Sequence, residues 1–124
     1  MHKRIGPELP ARISPATLAG RHLFATNLST DLVTGAFVDG PISVQALQTF
    51  RNLVAFVEEA GGTARDIAQI TIYLIDGADL KDMNAAYNTV FTEAPFPTRA
   101  TVIVKELVGP PGVRIETTAH AVIG

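Results

Sequence analysis

The chain predicts an α+β fold, a single sheet with two helices packed on one face, and three observations carry that prediction. Two stretches, Ala46 to Ala60 and Leu80 to Phe91, repeat apolar residues every three or four positions, which lays an apolar stripe along a helix. Shorter stretches alternate apolar with polar residues, as Gln69-Ile70-Thr71-Ile72-Tyr73-Leu74 does, the period of a strand with one face on a core. The elements follow the order strand, strand, helix, strand, helix, strand, strand, with no internal repeat, linker or low-complexity segment, so one layer of helices against one sheet accounts for them. The 124 residues form one domain, 1–124, of a size that buries roughly two thirds of its unfolded surface.

Pro7, Pro10 and Pro15 make residues 1–20 an extended lead-in rather than a helix. His22-Leu23-Phe24-Ala25-Thr26 is the expected first strand. Turn residues fill Asp31 to Gly35, and Ala36-Phe37-Val38 returns as a short second strand before Asp39-Gly40-Pro41 breaks it. Ser43, a residue type suited to the N-cap, opens the first helix, whose stripe is Ala46, Leu47, Phe50, Leu53, Val54, Val57 and Ala60. Gly61-Gly62 stops it. After the strand ending at Leu74 comes the second helix, marked by Leu80, Met83, Tyr87, Val90 and Phe91, with Asp79 as its expected cap and Pro95-Phe96-Pro97 as its stop. The last two strands are Arg99 to Val104 and Val113 to Val122, joined by Gly109-Pro110-Pro111-Gly112.

Composition excludes several classes of function. There is no cysteine, hence no disulfide framework, thiol nucleophile or thiolate metal site. Ten basic against twelve acidic residues, a net charge of −2, is the wrong bias for a dedicated nucleic-acid binder. No signal-peptide core or spanning apolar run is evident, so the expectation is a soluble, cytoplasmic protein. A composition 47% hydrophobic and only 18% charged fits either a well-filled core or apolar surface covered by a partner subunit.

Two residues stand out for chemistry. Arg99, in Pro97-Thr98-Arg99-Ala100-Thr101-Val102, places a cation at the mouth of an otherwise apolar strand, and its planar fork matches a carboxylate bidentately. Glu116, on the next strand, could hold a water or move a proton. Alternation puts Glu116, Thr118 and His120 on one face, and Thr101 on the same face as Arg99. Taken alone, Arg99 also reads as a surface arginine, and Glu116 as part of a solvent-facing strand surface. His2, His22 and His120 lack the spacing of a metal motif, no serine lies in a nucleophile elbow, and no glycine-rich phosphate loop precedes a helix. No metal or cofactor is expected.

The stretch from Pro97 to Glu116 resembles the signature of the RidA/YjgF family of enamine/imine deaminases, with Pro97, Thr98, Arg99, Ala100, Val102, Lys105, Leu107, Ile115 and Glu116 in its positions. Gln45, Gly61, Thr71-Ile72-Tyr73-Leu74 and Asn84-Ala85-Ala86-Tyr87 through Phe91 extend the match over most of the chain. The resemblance implies a mixed sheet in a chorismate-mutase-like fold, a homotrimer with sites between subunits, and a small carboxylate-bearing substrate. It also implies roles: Arg99 binds the substrate carboxylate, Glu116 positions a water, and Thr101, Thr26 and Asn84 meet the substrate.

Departures bear on function. Thr117 replaces an aliphatic residue, and Thr118 stands where many members have a second glutamate. The family's Thr-Ser-Gly-Gln becomes Ala25-Thr26-Asn27-Leu28, and its Ile-Gly-Pro-Tyr becomes Ile13-Ser14-Pro15-Ala16, so the tyrosine that lines the family's pocket is missing. The leading expectation is hydrolytic deamination of 2-aminoacrylate or 2-iminopropionate to a 2-oxo acid. Its alternatives are a deaminase of a larger unsaturated amino acid and a non-catalytic module that binds small carboxylates. The ribonuclease activity also attached to the family fits poorly with the acidic charge balance.

Overall fold

The computed structural model describes residues 1–124. Six strands form one mixed sheet: β1 (Lys3–Ile5), β2 (Ala16–Ala19), β3 (His22–Leu28), β4 (Ile67–Leu74), β5 (Thr98–Ile103) and β6 (Ile115–Val122), in the spatial order β1-β2-β3-β6-β4-β5. Only β4 and β5 run parallel, joined by a right-sized crossover that contains α2 (Leu80–Val90). The other helix, α1 (Ile42–Glu59), links β3 to β4.

Strand alternation makes the sheet two-sided. Leu23 and Ala25 of β3, Ile70, Ile72 and Leu74 of β4, and Ile115, Ala119 and Ala121 of β6 are buried beneath the helices. They meet Ala46, Phe50, Leu53, Phe56 and Val57 of α1 and Met83, Ala86 and Tyr87 of α2 in one core. Both helices therefore lie on one face, as the periodicity predicts. The opposite face carries Phe24, Thr26, Thr71, Tyr73, Thr118 and His120 and has no covering layer within the chain.

The stop of α1 follows from Gly61, whose positive φ of 96° lets its N–H bond the Glu58 carbonyl while Gly62 N–H reaches Val57. Several sequence expectations need correction. The proline-rich lead-in forms β1 and β2, paired antiparallel through Ile5 and Ala16. Residues 36–38 make no strand: a single bridge joins Thr30 and Phe37, because Asp31 Oδ1 accepts from Val33 and Thr34 N–H and folds the segment as a turn. Ser43 lies inside α1, whose N-cap is Pro41 without a side-chain bond. Asp79 does occupy the N-cap of α2 but caps nothing with its side chain, which is committed to Arg114 at 2.6 and 2.9 Å. Val113 precedes β6, which starts at Ile115.

Candidate active site

The parallel register of β4 and β5 sets Arg99 beside Ile70 and Thr101 beside Ile72, so both point to the helix side at the free edge of the sheet. Arg99 stacks on Tyr87 of α2, its guanidinium carbon 4.8 Å from the ring centroid. Tyr87 is held in turn by Phe91, stacked at 4.4 Å, and by the edge of Phe50 at 5.6 Å. Burial pushes the Tyr87 hydroxyl above its ordinary pKa, against the opposing pull of Arg99, so the ring stays neutral beneath the cation. The ion pair of the chain is Arg114–Asp79, and the Arg99 guanidinium has no acceptor of its own.

Asn84 lies one turn before Tyr87 on α2. Its Oδ1 and the Oγ1 of Thr101 are buried without a hydrogen-bond partner, two of the three such atoms in the chain. A native fold pairs nearly all buried polar groups. Thr101 shares the helix-facing side of β5 with the unpaired Arg99, and Asn84 lies on the helix that carries Tyr87.

Glu116 lies elsewhere. It pairs with Leu28 and Tyr73 on the open face, one row from Thr26 and Thr118. Burial raises its carboxyl above the ordinary carboxylate range. With Thr26 it lines a cavity of about 280 Å³ whose other walls include Pro7, Leu9, Ile13, Pro15, Leu28, Leu32, Phe56 and Val108.

The N-terminal arm reaches this cavity because Gly6, at φ 86°, turns over α1. A Cβ there would sit 2.8 Å from both the Phe56 ring and Pro15, and the Gly6 N–H bonds the Glu59 carboxylate at 3.1 Å. The far wall is tied to α1 by amides: Asn52 Nδ2 donates to the Leu28 and Thr30 carbonyls, and Asn27 Nδ2 to the Thr49 carbonyl and Thr117 Oγ1. Asn27 Oδ1 is the third orphan.

Of the five residues singled out by sequence, the fold thus brings Arg99, Thr101 and Asn84 to one face and Glu116 and Thr26 to the other. β4 separates the two groups. Sequence reasoning missed Tyr87 as the shelf for Arg99, since its spacing reads as core, and missed the apolar cavity wall, whose only signal was the run of Leu9, Ile13 and prolines in a supposed lead-in. His22 and His120, which lack the spacing of a metal motif, share a 2.9 Å hydrogen bond across β3 and β6, with Phe24 stacked on His120 at 4.5 Å.

Known proteins share this sequence and fold. The family model described as endoribonuclease L-PSP matches residues 7–123. The 2-iminobutanoate/2-iminopropanoate deaminase of Salmonella typhimurium is 37% identical over 129 residues, covering 98% of this chain and 98% of its own. A RutC family protein of Pyrococcus abyssi is 37% identical over 120 residues, 96% of this chain and 88% of the relative. Among solved structures, the YjgF gene product of Escherichia coli superposes with a TM-score of 0.86 at 31% identity, covering 97% of this chain and 98% of that one. RidA from an Antarctic Psychrobacter gives 0.85 at 28% identity, covering 98% and 99%. A family model that spans nearly the whole chain, relatives matched end to end and the shared α+β architecture establish that this chain belongs to the RidA/YjgF family.

Proposed function

We propose that this protein hydrolyses reactive enamines and imines bearing a carboxylate, of the 2-aminoacrylate and 2-iminopropanoate kind, to 2-oxo acids and ammonia. The observation that carries the reading is the division of the polar groups: an unpaired guanidinium beside orphan acceptors on one face, and a desolvated glutamate in a cavity on the other. Each is half of a site. They meet when the β5 edge of one copy lies against the Glu116 cavity of another, a head-to-tail contact that a closed ring of three copies satisfies throughout. Open-face side chains such as Phe24 and Val102, 47% and 40% exposed, favour burial in such contacts. The deaminase names of relatives such as the Salmonella protein point the same way.

In this mechanism Arg99 fixes the substrate carboxylate through two parallel N–H···O bonds while Tyr87 holds the guanidinium plane. Thr101 and Asn84 receive the nitrogen end. An enamine first takes a proton at its terminal carbon and becomes the iminium. Glu116, whose carboxyl burial raises above the ordinary carboxylate range, positions a water and accepts its proton as the oxygen adds to the imine carbon. Glu116 returns that proton to the nitrogen and takes up the hydroxyl proton as the C–N bond breaks, so the 2-oxo acid forms and ammonia leaves with no change of oxidation state. Exclusion of water between copies strengthens both polar contacts.

The test generates 2-aminoacrylate in situ with a PLP-dependent dehydratase and follows 2-oxo acid release. Acceleration by the wild type and its loss in Arg99→Ala and in Glu116→Gln support the reading; acceleration that survives Arg99→Ala overturns it. Binding of a 2-oxo acid without acceleration would point to the carboxylate-binding module. Co-refolding the two inactive variants tests the shared site, because random mixing pairs an intact Arg99 with an intact Glu116 at about a quarter of contacts. No recovery on mixing would rule out a site built from two copies.

A further inference from the structure

We infer that the cavity beside Glu116 is a side-chain subsite that selects imines of bulky apolar amino acids, with branched aliphatic, thioether or aromatic side chains, over the three-carbon imine. This rests on the deaminase reading and adds to it the class of substrate.

Size is the first ground. A cavity of about 280 Å³ exceeds more than tenfold the ~10–15 Å³ that holds one water on the same measure, so a three-carbon imine held at its carboxylate leaves most of it empty. Wall chemistry is the second. Leu9, Ile13, Leu28, Leu32, Phe56 and Val108 supply contact surface without hydrogen bonds. The amide donors among the lining residues are already spent: those of Asn52 on Leu28 and Thr30, those of Asn27 on Thr49 and Thr117. Polar function is left to Glu116, Thr26, Thr30 and the unpaired Oδ1 of Asn27, at the end where the reacting carbon belongs.

The rim is the third ground. Ile13 and Val108 are 66% and 95% exposed, yet both border this one cavity from segments far apart in sequence. Isolated exposed apolar residues need no explanation, but two that converge on an apolar hollow next to a desolvated carboxyl extend the surface a ligand would cover. At the position of the family's tyrosine this chain has Ala16, buried beside Ala25, and so carries no phenol there. Transfer of a leucine- or phenylalanine-sized group into such a pocket favours the larger substrate on the order of 10- to 100-fold in kcat/KM.

The experiment compares imines made in situ by a flavin-dependent amino acid oxidase from leucine, methionine, phenylalanine and alanine, with semicarbazide trapping to read imine lifetime. The expected result is 10- to 100-fold faster consumption of the bulky imines than of the alanine imine. Ile13→Asp and Val108→Asp, which place a charge on the exposed rim, should narrow that ratio by about fivefold or more. An alanine imine consumed as fast as the others, or a ratio unmoved in both rim variants, overturns the subsite. Turnover of the alanine imine alone, dependent on Arg99, sinks the subsite and leaves the deaminase intact. If no imine is accelerated, or if acceleration survives Arg99→Ala, the deaminase reading fails and the subsite with it.

Discussion

Replacing Arg99 by lysine keeps the charge and removes the fork. In the proposed complex the carboxylate would lose one of two charge-assisted hydrogen bonds, about 1.5–3 kcal/mol. The planar cation stacked 4.8 Å from the Tyr87 centroid would also go, a further ~0.5–1 kcal/mol of orientation. Together these amount to about 2–4 kcal/mol, a fall of roughly 30- to 700-fold in kcat/KM. Stability should hardly move, because the guanidinium makes no ion pair or hydrogen bond within the chain and only its packing on Tyr87 changes. A shift within about 3 °C in Tm is expected. The assay is ammonia release from 2-iminopropanoate across substrate concentrations, beside a thermal melt of the same preparation. A kcat/KM within threefold of wild type, or a loss that tracks a comparable drop in Tm, would refute the clamp.

Three further outcomes follow from the same geometry. Gln45, fully buried, donates to the carbonyls of Gly40 and Gly112 and accepts from Arg114 N–H, each at 2.9 Å. Gln45→Leu should cost about 3 kcal/mol and speed hydrogen exchange at the Arg114 amide; a protein as stable as wild type would show that these bonds contribute nothing. Burial raises the Glu116 carboxyl above its ordinary 4.5, so the folded chain keeps a proton that the unfolded chain releases. That contribution is complete below the ordinary value and is lost as pH rises through the raised one, so Glu116→Gln should gain Tm on the wild type as pH rises from about 4.5 through the raised value. Parallel Tm curves would contradict it. Arg114→Met strands the Asp79 carboxylate, only 4% exposed, at a cost on the order of 3 kcal/mol. Adding Asp79→Leu should restore most of that in denaturant titrations, and failure to do so would place the role of Arg114 in packing.

Legibility in the sequence depended on how local each cause was. The two helices were readable because their apolar stripes and the Gly61 stop lie within the elements themselves. β1 and β2 were not, since three- and four-residue strands carry too little alternation to outweigh Pro7, Pro10 and Pro15, and their pairing of Ile5 with Ala16 is long-range. Asp79 looked like a cap because the residue that claims its carboxylate is 35 positions away. At the candidate site, the motif pointed to the residue types in Arg99, Thr101, Asn84, Thr26 and Glu116. The face each occupies follows from β5 pairing parallel with β4 after the α2 crossover, which no local pattern encodes. The apolar cavity was hidden for a related reason: its walls come from the N-terminal arm, β3, α1 and the loop before β6.

The division of the site across the sheet has a physical rationale of its own. A guanidinium and a carboxylate placed on one face of one chain would bond to each other, as Arg114 and Asp79 do at 2.6 Å. Such a pair satisfies both the fork and the carboxylate, leaving neither group for a substrate. With β4 between them and the sheet turning them to opposite sides, Arg99 keeps an unspent fork and Glu116 is shifted upward by desolvation rather than downward by a cation. In the proposed assembly the two approach only across a contact between copies, with the substrate carboxylate and the water between them to occupy the fork and the proton acceptor. The polarity that would be self-cancelling in a monomer would thereby be kept for the ligand. The orphan atoms of Asn84 and Thr101 are consistent with the same logic, polar groups held unsatisfied by the fold where a bound nitrogen would satisfy them.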